Sequence, residues 1–424
     1  MTSKERVRTA FQHKQPDKVP MDFGGMGCST THVTNVKKLR EYYGLEKRPV
    51  KVFDIFGMTG AMDEDLKRAI GTDVEQITPF MASFGNRTDR GWKEWEYMGV
   101  DLLIPAETQI LDDGSGGYFI YPQGDTSVPP SGHMPANGFY FDNVERQKPL
   151  PDDEDEMNFM DNCEEYEEAS DDFLNYLKKV AADYKSGELD NNRAVVFDPG
   201  GAALGDAAFV PGMGLKDPKG IRSVTEWMTA PLMYPDYVHD VYEYQSDMVV
   251  KNFKKYHEIL GDIVDIAYIC GTDFGNQKSL MCSLDTFDEF YKPYYQKMNN
   301  CMHDMGWYTL KHSCGSIWRV IPNLIESGFD SLNPVQCSAE GMDPNFLKDS
   351  FGDNIVFWGG VVDTQKVLPF GTPEEVRKQV LERCEIFSKN GGWVCTSIHI
   401  IQCNVPLQNI VAMIDAIHEY NGDK

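Results

Sequence analysis

The second half of the chain alternates short apolar runs with longer stretches of helical periodicity, and this alternation limits the fold more than any other feature. Ile263-Val264-Asp265-Ile266-Ala267-Tyr268-Ile269 is an apolar run of strand length. A polar turn follows, then a helical stretch over about 284–305 that opens at Ser283 and carries Phe287, Phe290, Tyr291 and Tyr294 at helical spacing. The unit recurs: 308–312 leads to a helix near 317–327, 331–335 to one near 344–350, 355–358 to one over 373–390, and 392–398 to a last helix over about 406–420. Successive βα units with short connections imply parallel strands joined by right-handed crossovers, as in a (β/α)8 barrel or a doubly wound sheet. No Gly-x-Gly-x-x-Gly opens a helix, so the barrel is favoured.

The first half is less regular. A helix near 3–14 precedes Val19-Pro20-Met21-Asp22-Phe23-Gly24-Gly25, which reads as a first strand, and helices are expected near 34–43 and 62–70. From about 92 to 144 the chain is rich in Gly, Pro and aromatic residues, with turn signals at Asp112-Asp113-Gly114 and Pro122-Gln123-Gly124-Asp125. This predicts a β-meander insertion, placed over the barrel mouth or on its flank. The acidic run 152–172 reads as a solvated linker and helix face, with a docking surface for a basic partner as the alternative. A barrel with an insertion absorbs all 424 residues as one domain, 1–424.

A net charge of -26 argues against nucleic acid or an anionic membrane as the main partner, since both would repel this surface. A small ligand or a protein is the expected partner, with oligomerisation open. The amphipathic start carries no apolar signal core and no run of about 18 apolar residues is present, so the chain reads as cytoplasmic. The ten cysteines lack the spacing of a disulfide scaffold, and most are expected as small buried hydrophobes.

One pair stands apart. In Trp307-Tyr308-Thr309-Leu310-Lys311-His312-Ser313-Cys314-Gly315 an apolar strand runs out into a glycine turn, and residues two apart on a strand share a face. His312 and Cys314 therefore point at one object, and Zn²⁺ accepts both imidazole and thiolate. Structural zinc takes four side chains and catalytic zinc three with an open position, so at least one further ligand must come from elsewhere. Cys337, Cys395 and Cys403 are candidates of lower rank.

Arg6-Val7-Arg8-Thr9-Ala10-Phe11 followed by Pro16-Asp17-Lys18-Val19-Pro20 resembles the opening of the uroporphyrinogen decarboxylase superfamily. Further matching segments, in the expected order, are Gly271-Thr272-Asp273-Phe274-Gly275-Asn276-Gln277, His312-Ser313-Cys314-Gly315-Ser316, Asn333-Pro334-Val335-Gln336, Trp358-Gly359-Gly360, Asp363-Thr364-Gln365 and Pro406-Leu407-Gln408-Asn409-Ile410. The resemblance implies a single (β/α)8 barrel with its active site at the carboxyl ends of the strands, where the βα reading places these motifs.

Two chemistries compete within that superfamily. The porphyrinogen decarboxylases carry an arginine-bearing segment after the first strand that grips substrate carboxylates; here 22–32 contains no arginine. The other branch comprises zinc-dependent methyltransferases linked to corrinoids, with His-x-Cys at the end of one strand and a further Cys at the end of the last. His312 and Cys314 match the first part. His399 falls roughly where the third ligand belongs and Cys403 lies four residues on, so both are candidate metal ligands, with Cys337 and Asp273 behind them.

The branch implies methyl transfer from a small methylated donor, foremost an aryl methyl ether, to the Co(I) corrinoid of a partner protein. Zinc would serve as Lewis acid on the ether oxygen. No Asp-x-His-x-x-Gly corrinoid signature is present, so the corrinoid is expected on a separate protein. Asp273 is the candidate general acid, Gln277 and Gln336 the candidate substrate-orienting groups, and Asp198 and Asp363 further rim carboxylates. Tyr118, Phe119, Tyr121, Phe139 and Tyr140 are candidates to face an aromatic substrate. The alternatives are a decarboxylase of a porphyrinogen or other acid, and a non-catalytic barrel that binds a corrinoid protein.

Overall fold

The fold is described by a computed structural model covering residues 1–424 except Asp152, Gly201, Lys424 and the side chain of Cys270. Seven parallel strands lie side by side in chain order: Val74–Gln76, Ala194–Phe197, Ile266–Cys270, Tyr308–His312, Ser331–Asn333, Val356–Trp358 and Trp393–Val394. Helices connect them, as parallel pairing requires. The register runs Val196 to Ile266, Ile266 to Tyr308, Leu310 to Ser331, Ser331 to Val356 and Phe357 to Trp393.

The sheet curls, and its two faces bury different residues. Val74, Ala194, Val196, Ile266, Leu310, Val356, Trp358 and Val394 form one inner cluster with Val7, Phe11 and Met26, while the outward residues join the helices in a larger core. Alternation along each strand produces this division. An extended segment around Met21 bridges the two edges: Met21 pairs in parallel with Cys395, Cys395 N donates to Pro20 O (2.8 Å), and Asp73 N donates to Met21 O (2.7 Å). The expected first strand over 19–25 is thus a single bridge within an extended stretch.

Asp22 on this segment is fully buried and accepts from Trp358 Nε1 (2.9 Å), Ser29 Oγ (2.9 Å) and Gly25 N (2.9 Å). Burial pushes its carboxyl up to about 6 against those bonds. The folded protein therefore holds this proton more tightly than the unfolded chain. The associated stability is full below the ordinary carboxylate value near 3.8 and is lost as pH rises through about 6. We expect a contribution of roughly 3 kcal/mol falling away across that window. Urea unfolding at a series of pH values should show that slope in the wild type and its loss in Asp22→Asn.

Several expected elements differ for identifiable reasons. The helix over 284–305 is two, Leu284–Phe290 and Lys292–Asp304, because Pro293 has no N–H and its ring clashes with the carbonyl four residues back. The helix near 317–327 shortens to Ile321–Glu326, with Pro322 in its first turn. The last strand keeps Trp393–Val394 and continues only as the Cys395 bridge to Met21, before the chain bends at Ile398 and His399. Helices Asp171–Ser186 and Pro235–Leu260 and strands Val74–Gln76 and Ala194–Phe197 come in addition. Of the acidic run, the part from Asp171 is the start of a helix capped by Ser170, and Asp152 lies outside the described residues.

The stretch 92–144 is not one meander. The hairpin Trp92–Tyr97/Val100–Pro105 joins Val50–Asp54, so these three strands and Thr59–Gly60 make one sheet. Ile110–Asp112, Tyr118–Ile120, Gly132–Met134 and Asp142–Asn143 make a separate antiparallel sheet. Bonds from Asn143 Nδ2 to Ala208 O (2.9 Å) and from Arg146 to Gly212 O and Leu215 O (2.6 and 2.7 Å) tie this region to the loop leaving the carboxyl end of Ala194–Phe197. Among the described residues no helix is long and apolar enough to cross a membrane.

Candidate metal centre

His312 ends its strand on the inner face, two residues beyond Leu310 of the inner cluster. The turn that follows is pinned from three sides. Phe274 N donates to Ser313 Oγ (2.9 Å), Cys314 N to Asp273 Oδ1 (2.6 Å) and Gly315 N to Gln336 Oε1 (2.8 Å). Gly315 has φ +88°, and a Cβ on it would stand 2.4 Å from the Gly275 carbonyl, so only glycine allows the two loops this approach. These contacts aim the Cys314 thiol back at His312, with Sγ 3.5 Å from Nε2.

His399 completes a cluster: one ligand atom from each of His312, Cys314 and His399 lies within 4.8 Å of the others. The two imidazole rings meet edge to face at 5.1 Å. His399 holds φ +66°, a left-handed backbone uncommon for a residue with a side chain and frequent at functional sites.

Hydrogen bonds assign the imidazole protons. Asn333 Nδ2 donates to Trp358 O (2.9 Å), which turns Oδ1 toward His312 Nδ1 (2.6 Å). His312 therefore carries a proton on Nδ1, which leaves Nε2, beside Cys314, as the nitrogen that would ligate a metal once unprotonated. Burial lowers the ring's affinity for a second proton, but Cys28 and Cys314 outweigh it and raise His312 well above its ordinary value. His399 Nδ1 accepts from Ile400 N (2.8 Å), so its proton sits on Nε2. Ligation through Nε2 would move that proton to Nδ1 and give up the Ile400 bond. Burial, then the neighbouring His312, holds His399 down at about 4, so its ring is neutral at pH 7. Burial raises the Cys314 thiol and His312 opposes it, so binding a metal requires this thiol to release its proton.

The donor set fits zinc. Tetrahedral bonds of about 2.0 Å to nitrogen and 2.3 Å to sulfur place the two ligand atoms about 3.5 Å apart, the separation between His312 and Cys314. Three protein ligands leave a fourth position for substrate.

The other sequence candidates fall into different places. Asp273 is partly open at the rim, its Oδ1 3.9 Å from His312 Nε2. Gln336 is buried and occupied with Gly315, and Gln277 is exposed. Cys403 is outside the cluster, beside Tyr97 and Lys38. The half-buried Cys337 thiol, pushed up to about 12 by desolvation, contacts Gly360 O. Asp363 caps its own turn through Gln365 N and Lys366 N. Of the aromatic candidates, Tyr118 packs on Trp95 and Tyr97, Phe119 on His133, and Phe139 and Tyr140 are exposed.

The sequence reading missed Asn333 as the partner of His312, and it missed Cys28, Tyr268 and Asp206. Tyr268 OH lies 3.7 Å from Cys28 Sγ, and the fields of Cys28 and Asp206 both reach His312. Asn333 and Tyr268 were legible from period-two alternation with Ser331 and Ile266. Cys28 and Asp206 sit in aperiodic loops that carry no such signal. Burial pushes the carboxyls of Asp198 and Asp206 each up to about 6.

Residues 216–420 match the family model described as uroporphyrinogen decarboxylase (URO-D). A methyltransferase from Methanosarcina mazei has a similar solved structure, with a TM-score of 0.56 at 14% sequence identity over 99% of this chain and 99% of that one. At that identity the likeness speaks for the fold. No curated protein matches the sequence. The segment that matches the uroporphyrinogen decarboxylase model, 216–420, carries all three residues of the cluster.

Proposed function

We propose that this protein is a methyltransferase that moves a methyl group from a small methylated donor to the Co(I) corrinoid of a separate protein. We read the curled sheet, closed through the segment around Met21, as a complete (β/α)8 barrel, and the chain 1–424 as one domain. The observation that carries the reading is the convergence of His312, Cys314 and His399 at the carboxyl ends of the strands. Zinc held there would supply Lewis acidity to the heteroatom that loses its methyl group.

The chain's own residues do the rest. Asn333 fixes the His312 tautomer, and the bonds at Ser313, Cys314 and Gly315 keep the thiol in place. Asp273, partly open and close to His312, is the group positioned to hold or return a proton at the departing heteroatom. An aryl methyl ether is one donor class that such chemistry suits. A porphyrinogen decarboxylase is disfavoured because 22–32, which carries Cys28 to the site, contains no arginine for substrate carboxylates.

The test is methyl transfer from methyl ethers or thioethers to added Co(I) cobalamin, followed by cobalamin absorbance. Zinc-dependent turnover is expected; release of CO₂ from an acid substrate without metal would replace this reading with the decarboxylase. Asn333→Ala should weaken metal binding by about 10–100-fold, measured by chelator competition, since that is the usual cost of losing a partner that orients a ligating imidazole.

A further inference from the structure

The wall beside the triad carries hydrogen-bond acceptors that make no ion pair among the described residues. Asp198 lies two residues beyond the inward Val196, and among the described residues its carboxylate accepts only from Gly200 N (3.0 Å). Asp206, 8% exposed, accepts from Ala208 N (2.9 Å) through Oδ1. Its Oδ2 points toward Gly271, where a Cβ would stand 2.7 Å from that oxygen and 3.1 Å from Tyr268 OH. Glycine at 271 thus leaves room where a carboxylate and a phenol converge. Lys311 and His312 both act on Asp206 electrostatically, but the strand position of Lys311 turns it outward and its Nζ donates to Thr272 O and His312 O (2.6 Å each). No ion pair is made by Asp198 or Asp206 among the described residues.

A separate observation points the same way. Gln76, two residues beyond the inward Val74, is 8% exposed, and its buried Oε1 has no hydrogen-bond partner among the described residues. Buried acceptors are ordinarily satisfied, and a withdrawn carboxylate without a countercharge is costly until a cation meets it. Gln76, Asp198, Tyr268 and Asp206 all offer oxygen toward the inner space, and they present no positive group to an anionic substrate.

We propose that the methyl donor is a cation: a methyl ether or thioether whose heteroatom faces the His312–Cys314–His399 triad and whose ammonium group is held by Asp206 and Asp198, with Tyr268 and Gln76 as further acceptors. This rests on the methyltransferase reading and names its substrate class.

Three probes of nearly one shape test it: 2-methoxyethylammonium, methyl propyl ether and methoxyacetate, titrated calorimetrically into the purified protein with metal content measured on the same samples. The ammonium probe is expected to bind at least tenfold tighter than the neutral ether, with no saturable binding of methoxyacetate. Asp206→Asn and, separately, Asp198→Asn should each weaken the ammonium probe by about tenfold while leaving the circular dichroism unchanged; if one variant fails to fold, the other decides. Equal or tighter binding of the neutral or anionic probe, no saturable binding of the ammonium probe, or folded variants within twofold of wild type would overturn the proposal. Metal present without the charge preference sinks the cation site alone, whereas the preference without metal sinks the metal reading and leaves the cation site standing.

Discussion

Replacing His312 by alanine is expected to lower metal affinity by more than about 100-fold and to abolish methyl transfer, with the fold retained. The loss exceeds the 10–100-fold typical of a supporting residue because a ligand itself is removed. His312 is also the hub of the site: Nδ1 is fixed by Asn333 and Nε2 faces Cys314. Cys314→Ala should match it. His399→Ala should cost less, because His399 must shift its proton and surrender the Ile400 bond before it can ligate, so part of its binding energy is already spent. Chelator competition on the three variants reads the order directly, and equal losses would show that His399 binds without that rearrangement.

The largest expected effect on stability comes from Trp358→Ala. The ring is fully buried on the inner face, meets Phe11 edge-on at 6.0 Å, and donates Nε1 to the buried Asp22. Truncation leaves a cavity in a closely packed interior and takes a donor from a desolvated carboxyl. Losses of about 3–5 kcal/mol follow from the cavity and about 1–3 kcal/mol from the stranded acceptor. Trp358→Phe keeps most of the volume and should show mainly the second loss. Urea midpoints at constant m-value separate the two, and a Trp358→Ala variant within 1 kcal/mol of wild type would mean that the inner cluster does not hold the sheet together.

The parallel sheet was readable because each strand of the second half buries both faces and each helix carries its own periodicity. Tyr308–His312 was placed to the residue, and His312 with Cys314 followed from its alternation. The limits are equally specific. Pro293 and Pro322 broke or shortened helices whose apolar spacing ran through them. Ala194–Phe197 offers only four apolar residues between polar loops, too few to declare a period. The hairpin at 92–105 was legible as strands, but its pairing with Val50–Asp54 depends on contacts some fifty residues away that no local pattern encodes. At the site, strand-borne residues could be found by counting in twos. Cys28 and Asp206, brought in by loops, could not.

The most direct test of the central claim is X-ray absorption at the zinc edge of protein purified under metal-replete conditions. The account predicts stoichiometric zinc with one sulfur at about 2.3 Å and two imidazole nitrogens at about 2.0–2.1 Å, the remaining position filled by a light atom. Absence of bound metal, or a shell with two or more sulfurs in place of the second imidazole, would contradict it.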